Sequence, residues 1–415
     1  MSESGISVDA MRRIDRLAGI PLCFLATLMV KLRDLLRRKP PRPVRRILFI
    51  ELSEMGSTVL ADPALRKARD RTGADIYFAI FAKNAGSLAI TGTIAPAHVF
   101  KVRTNSLWAL AVDTLAFLIW TRRQGIDTVI DLELFSRFSG LLTGLSGAER
   151  RIGFYRFHSE GLYRGDMLTH RVVHNSRIHV AKNFIALVNA LLSETPTVPY
   201  SKTIIPDEEV ALPVRRAGAA ARERMTAQIA ALVPHRDLSR LRIVLINPNS
   251  SEMLQQRRWM PERYIELVRR ILAAHDDVLV LITGAAGERD QAEHMAAQCA
   301  NDRCVAFAGH TKLTELPALY ELASLIVSND SGPAHFAAAS ALPTIVLFGP
   351  ETPTHYGPLG KPIVLYAGLA CSPCVSVYNS RKSACTDNVC MQAITVEQVF
   401  AAVESVLKTR VREPA

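Results

Sequence analysis

Hydrophobic and polar positions along this chain follow one repeated rhythm. Arg46-Ile-Leu-Phe-Ile-Glu-Leu is a short apolar run of strand formers, closed by Ser53-Glu54-Met55-Gly56-Ser57, and Thr58–Arg69 reads as a helix with its basic residues late. A strand, a glycine-containing turn and a helix open a βαβ unit. The pattern recurs with a strand at 75–82, a helix at 104–124, a strand at 127–132 and a helix to about Ser146. A second series starts near Leu241. It predicts strands at 242–247, 278–284, 304–308, 325–328 and 344–348, and helices at 261–274, 288–299, 313–323 and 333–341. Such alternation predicts two α/β halves, each a parallel sheet with helices on both faces. Residues 211–240, rich in Ala and Arg and mostly helical, join them.

Ahead of the first strand the pattern changes. Leu17–Val30 holds fourteen residues without a charge, flanked by basic clusters. As a helix it spans roughly 21 Å, short of a hydrocarbon core of about 30 Å. An interfacial helix with basic flanks on anionic lipid headgroups is expected; an ordinary buried helix and a signal segment or true span are the alternatives. Residues 33–46, with Pro40, Pro41 and Pro43, read as a stiff linker. The 415 residues carry a formal net charge of +11, and residues 1–46 alone hold eleven Lys/Arg against four acids. The body is therefore only mildly basic. Without aromatics interleaved among basic residues, nucleic acid is not an expected partner. A hydrophobic fraction of 49% excludes a wholly disordered chain, and no uncharged stretch is long enough for a multi-span membrane protein. The expected division is 1–45 leader and linker, 46–210 first domain, 211–240 connector, 241–395 second domain, and 396–415 terminal helix and tail.

The chemistry concentrates at strand ends. No G-x-G-x-x-G follows the first strand and no G-x-x-x-x-G-K-[ST] occurs, which removes most support for hydride transfer or a P-loop NTPase. In Leu325-Ile-Val-Ser-Asn-Asp-Ser-Gly-Pro-Ala-His, a buried strand runs into a helix with Pro333 in its first turn. The N–H groups of Ser331, Gly332 and Ala334 would face a phosphate there, with His335 in reach; Asp330 and Ser331 could equally be helix caps. Cys371-x2-Cys374-x10-Cys385-x4-Cys390 has the spacing of a structural zinc site or a pair of disulfides, or of a loop whose thiols pack as small hydrophobes.

Five stretches, in order, resemble glycosyltransferase family 9, the heptosyltransferases of lipopolysaccharide core assembly. They are Arg46–Gly56 with Asp62-Pro-Ala-Leu65; Asn247-Pro248 with Arg257-Arg-Trp-Met-Pro-Glu-Arg-Tyr264; Ser328–His335; Leu347-Phe-Gly-Pro-Glu-Thr-Pro353 with Tyr356-Gly-Pro; and Cys371-Ser-Pro-Cys374 with Cys390-Met and Ile394–Glu397. The resemblance covers about 46–405. It implies a GT-B-like fold, two Rossmann-like domains facing across a cleft, and an inverting, metal-independent sugar transfer with no cofactor. The donor would be a nucleoside-diphosphate sugar, ADP-linked and usually heptose. The acceptor would be a lipid-linked saccharide at the cytoplasmic face of the inner membrane.

By position, the resemblance puts the donor on Ser250, Ser251, Arg257, Glu288, Asp330, Ser331, Gly332 and His335. Arg257 stands where the family has a phosphate-binding Lys, and Glu288 where it holds the ribose, unless Glu288 is only a helix N-terminal acid. Gly56, Ser57, Asp131 and Arg137 match the acceptor side. One departure touches the chemistry. The family usually has Gly-Asp after the first strand, with Asp as base, whereas here Ser57 follows Gly56. Glu54 is the favoured substitute and Glu133 the alternative. Two other functions stay open: a GT-B nucleotide-sugar isomerase, and a non-catalytic nucleotide-sugar-binding member.

Overall fold

Short runs of Val, Ile, Leu and Phe, buried on both faces, form the strands of two sheets that share one plan. In a computed structural model, which describes residues 8–37, 42–158, 161–194, 197–250, 252–376, 378–379 and 381–410, the chain divides into two units, Met1–Val210 and Ala211–Ala415. Pro40 and Pro41 of the expected linker, Ser251 of the expected donor set and the end of the tail lie outside the described residues.

Unit 1 begins with α1 (Val8–Leu17) and α2 (Gly19–Leu36). Then follow β1 (Arg46–Ile50), α3 (Met55–Thr72), β2 (Asp75–Phe81), the short α4 (Leu88–Thr91), β3 (Val99–Val102), α5 (Leu107–Arg123), β4 (Thr128–Asp131), α6 (Arg137–Leu145), β5 (Arg150–Phe154), β6 (His170–Val172) and α7 (Val180–Leu192). Unit 2 has α8 (Ala219–Leu232), β7 (Arg242–Asn247), α9 (Pro261–Ala274), β8 (Val278–Ile282), α10 (Arg289–Cys299), β9 (Cys304–Ala306), α11 (Leu316–Leu322), β10 (Ala323–Asn329), α12 (Gly332–Ala338), β11 (Thr344–Phe348), α13 (Pro353–Tyr356), β12 (Ile363–Tyr366), α14 (Val389–Gln392) and α15 (Val396–Arg410).

The first sheet runs β3-β2-β1-β4-β5-β6 and the second β9-β8-β7-β10-β11-β12, with parallel pairing throughout. Numbered within its own unit, each sheet has the order 3-2-1-4-5-6. The winding reverses between the first and fourth strands, and the crevice at their carboxyl ends is where such sheets bind ligands. The places to look are therefore the ends of β1 and β4, and of β7 and β10.

The leader is built into unit 1. Cys23, Ala26 and Val30 of α2 bury against Met167, with Leu141 and Leu145 of α6 packed alongside. Asp15 accepts from the Arg137 and Phe138 amides at 2.9 and 3.0 Å and pairs with the Arg137 guanidinium at 3.0 Å. Lys31 pairs with Asp166, Asp34 with Arg151, and Arg37 with Glu149. No described helix is long and apolar enough to cross a membrane.

Candidate functional site

In unit 2 one side chain organises the switch point. Asn329, the last residue of β10, is fully buried. Its Oδ1 accepts from the Trp259 amide at 3.1 Å and the Tyr264 hydroxyl at 2.9 Å, while its Nδ2 donates to the Pro248 carbonyl at 2.8 Å. It therefore fixes the loop after β7 and the segment before α9 against the end of β10. Trp259 is anchored at its other end, where Nε1 donates to the Ile394 carbonyl at 2.9 Å. Arg257, two residues upstream, is held over the β10 turn.

Four charged side chains gather there. The Arg257 Nε lies 3.4 Å from an Asp330 oxygen and its Nη2 3.8 Å from Glu351 Oε2, which the Arg381 Nε approaches to 3.7 Å. The Arg381 guanidinium also lies over the Tyr356 ring at 4.2 Å. Asp330, Glu351 and Arg381 are 3%, 1% and 6% exposed. Burial pushes the Glu351 carboxyl up to about 7; Arg381 and Arg257 oppose this and Asp330 adds to it. Two carboxylates thus hold two guanidiniums in place at a strand end. A diphosphate, with its two linked anions, suits such a pair of forks.

The β10–α12 turn departs from the expectation at one amide: the Ala334 N–H donates to the Ser331 carbonyl at 3.2 Å rather than facing outward. Pro333 lies in the first turn, and no side chain caps the helix: the Ser331 hydroxyl instead bonds the Asn329 carbonyl and the Ser328 hydroxyl. Gly332 begins the helix and His335 is buried in it. Ser250 is buried, and Arg258 donates to its carbonyl at 3.1 Å. Glu288 accepts from the Ala285 amide at 2.6 Å, so the role of helix-start acid is realised. Burial raises its pKa.

The four clustered cysteines are unbridged. All seven cysteines are free thiols, and among the described residues no group of three or more His, Cys, Asp or Glu is gathered to hold a metal. The thiols of Cys371, Cys374, Cys385 and Cys390 face different partners. Cys374 meets the Ser383 hydroxyl, Cys385 accepts from the Asn388 amide, Cys390 is buried in the unit 2 core, and Cys371 is exposed. The loop's contribution to the site is Arg381.

In unit 1, Glu133 follows β4, and its Oε1 accepts from the Leu52 amide, the Ser53 amide and the Ser53 hydroxyl at 2.9, 3.1 and 2.9 Å. Burial raises its pKa; the amides and hydroxyl pull it down, and Asp131 and Glu54 add to the rise. Glu133 is thus a clamp on the β1–α3 loop. Glu54, half-buried at the start of α3, accepts from the Ser57 hydroxyl at 3.1 Å; Gly56 lies between them in the helix's first turn. Asp131 is fully buried, pairs with Arg164, accepts from the Glu133 amide, Ser139 and Thr143, and has its pKa raised by burial. Arg137, expected at the acceptor side, lies under α2 with its guanidinium on Asp15.

Sequence reasoning missed Asn329, Glu351, Arg381 and Arg164. Glu351 stood in the Phe-Gly-Pro-Glu stretch, where a carboxylate beside a strand end was a usable signal. Arg381 carried none.

A family model for glycosyltransferase family 9 (heptosyltransferase) matches residues 121–384. The chain belongs to glycosyltransferase family 9. Lipopolysaccharide heptosyltransferase 2 of Salmonella typhimurium is 30% identical over 106 residues, which are 25% of this family 9 chain and 30% of that protein. Lipopolysaccharide core heptosyltransferase OpsX of Haemophilus influenzae is 32% identical over 122 residues, 29% of this chain and 34% of that one. The matches span about a third of the length of these curated relatives. Among solved structures, the E. coli ADP-heptose LPS heptosyltransferase II matches with a TM-score of 0.67 at 19% identity, over 88% of this chain and 99% of that chain. E. coli WaaC with ADP-2-deoxy-2-fluoro heptose matches with 0.59 at 17% identity, over 87% and 99%. The fold is the GT-B-like one of these transferases.

Proposed function

We propose that this protein transfers a sugar, heptose in the first instance, from an ADP-linked donor held by unit 2 to a lipopolysaccharide-core saccharide held by unit 1. The buried Arg257–Asp330–Glu351–Arg381 cluster at the β7/β10 switch point carries the reading. Relatives named as heptosyltransferases, and a WaaC structure named with ADP, support the choice of nucleotide.

The reaction read from these residues inverts the anomeric centre. The Glu54 carboxylate takes the proton of an acceptor hydroxyl, and the hydroxyl oxygen attacks the anomeric carbon from the face opposite the diphosphate. The bond from that carbon to the phosphate oxygen breaks, and its electron pair leaves with ADP. Arg257, assisted by Arg381 and the amides of Ser331 and Gly332, stabilises that developing charge, so the scheme calls on no metal. Ser250, Ser331, Gly332 and His335 line the diphosphate and Glu288 the ribose. Glu133 positions the Glu54 loop, its three donors leaving it poorly placed to act as base. The outward face of the leader supports a peripheral position on the cytoplasmic face of the inner membrane.

Calorimetry with ADP, UDP and GDP on the intact protein and on Arg257→Ala tests the donor site. Selective ADP binding, weakened at least tenfold by the substitution, is expected. No binding of any nucleoside diphosphate would refute the reading.

A further inference from the structure

From Leu107 to Ile119 the outward face of helix α5 carries no charge, and its last turn ends in the exposed Arg122 and Arg123. Leu107, Trp108, Val112, Leu115 and Ile119 are 56%, 79%, 38%, 64% and 53% exposed, and Ala111 and Ala116 are exposed between them. The spacing 108, 112, 115, 119 is that of one helical stripe. The only acid of α5, Asp113, is turned inward and paired with Arg103 at 2.6 Å. The exposed face therefore has the apolar character of a core and the position of a surface. Patches of this kind mark a partner.

The topology sets this face on the same side of the sheet as the leader, with α6 between them. The crossovers β3–α5–β4 and β4–α6–β5 run in the same direction along the sheet, so right-handed connections place α5 and α6 on one face. Helix α2 packs against α6 and reaches Arg151 of β5 and Asp166 before β6. On this side the order is α5, α6, α2. Outward on α2 stand Leu22, Phe24, Leu25, Leu28, Met29, Leu32, Leu35 and Leu36, all about half exposed or more. Asp34 of α2 is taken up by Arg33 and Arg151. The rim is basic: Arg13, Arg16, Arg122 and Arg123 are all exposed.

We infer that α5 and α2 together form a two-helix lipid-docking surface that rests on an anionic membrane, with α5 inserting Trp108, Leu115 and Ile119 among the headgroups. This deepens the peripheral-membrane reading above. Charge selects the occupant: a basic rim around an apolar centre complements anionic headgroups and repels a second copy of itself. At roughly 25–27 Å each, helices of 17 and 18 residues lie along an interface.

Trp108 is the probe. Of the three tryptophans, Trp259 is buried and Trp120 is packed among Tyr77, Phe100 and Phe117. Full-length protein is mixed with vesicles of phosphatidylcholine, alone or with phosphatidylglycerol, and binding and tryptophan emission are followed. The expected result is binding to the anionic vesicles with a blue shift that Trp108→Phe abolishes. Leu115→Glu with Ile119→Glu should weaken binding at least tenfold while circular dichroism and ADP affinity stay unchanged. Vesicle binding that persists in the double variant without a Trp108 shift would overturn the role of α5. So would a dimer in sedimentation equilibrium that the double variant dissolves. Loss of vesicle binding alone leaves ADP binding intact, and failure of the donor reading leaves vesicle binding intact, so the two fail separately.

Discussion

Replacing Arg257 with Ala tests the charge cluster in a way that depends on pH. Glu351 changes charge near pH 7, so Arg257 faces a neutral carboxyl at pH 6 and a carboxylate at pH 8.5. At 3.8 Å and an effective dielectric of about 20, a unit pair attracts by roughly 4 kcal/mol. Sharing with Arg381 and partial solvent access to Arg257 reduce this to about 2 kcal/mol. The direction follows from linkage. A carboxyl whose folded pKa is raised keeps its proton in the native state while the unfolded chain has lost it, so stability falls as pH rises from near 4.5 to the folded pKa and then levels off. In the intact protein the fall ends near pH 7. In Arg257→Ala, Glu351 loses an attraction that favours its charged form and titrates higher, so the fall continues. The gap between variant and parent should therefore widen above pH 7 by about 1.4 kcal/mol per pH unit, to about 2 kcal/mol at pH 8.5. With Trp108 and Trp120 changed to Phe, Trp259 fluorescence in urea reports unit 2 alone. A gap equal at pH 6 and 8.5 would refute the reasoning, and Arg257→Ala with Glu351→Gln should show such an equal gap.

ADP brings negative charge towards Glu351, which should take up protons on binding just above pH 7; calorimetry in buffers of different ionisation enthalpy reads the uptake, and Glu351→Gln should remove it. Glu54→Gln should lower kcat by about 10²–10⁴ with ADP affinity unchanged, measured by ADP release; a smaller drop than for Glu133→Gln would move the base to Glu133. Asp15→Ala strips a partner from the buried Arg137 and should destabilise unit 1 by about 2–3 kcal/mol in urea unfolding followed by Trp120 fluorescence in a Trp108→Phe, Trp259→Phe background. Restoration by Asp15→Glu would separate a lost ion pair from lost packing.

The β10–α12 turn was legible because its signal is local. Ser328–His335 is one continuous strand end, turn and helix start, and a turn's chemistry is written in its own residues. Arg257 could be placed only through the family resemblance, since its position depends on Asn329, seventy residues away, receiving the Trp259 amide. Glu351 and Arg381 complete the cluster from two further loops, and no periodicity links them. The parallel sheets were legible for the same reason as the turn. The strands β3, β5, β6 and β12 were not, being three to five residues long and, in β5, opened by Arg150-Arg151.

The leader shows what a hydrophobic pattern leaves open. Leu17–Val30 carries two stripes at once: small or short side chains at Cys23, Ala26 and Val30, which bury on unit 1, and large ones between them, which face outward. An apolar stretch without charges cannot tell these apart, because both are simply apolar. The decisive residues are far away: Gly165, where an added Cβ would come within 2.6 Å of the Thr27 hydroxyl, and Asp166, whose amide donates to that hydroxyl at 2.9 Å. Those contacts also change what the leader can be. A tether would let unit 1 tumble above a membrane, whereas a helix fixed by Asp15, Thr27, Lys31 and Asp34 holds unit 1 in one orientation. Whatever surface α2 meets, α6 and the Glu133 clamp at the end of β4 stand at a set angle to it. Cutting the leader away would therefore expose Met167 and leave Arg137, Arg151 and Asp166 short of partners, so loss of membrane binding on truncation would mix unfolding with unanchoring. Charges placed on the outward leucines alone separate the two.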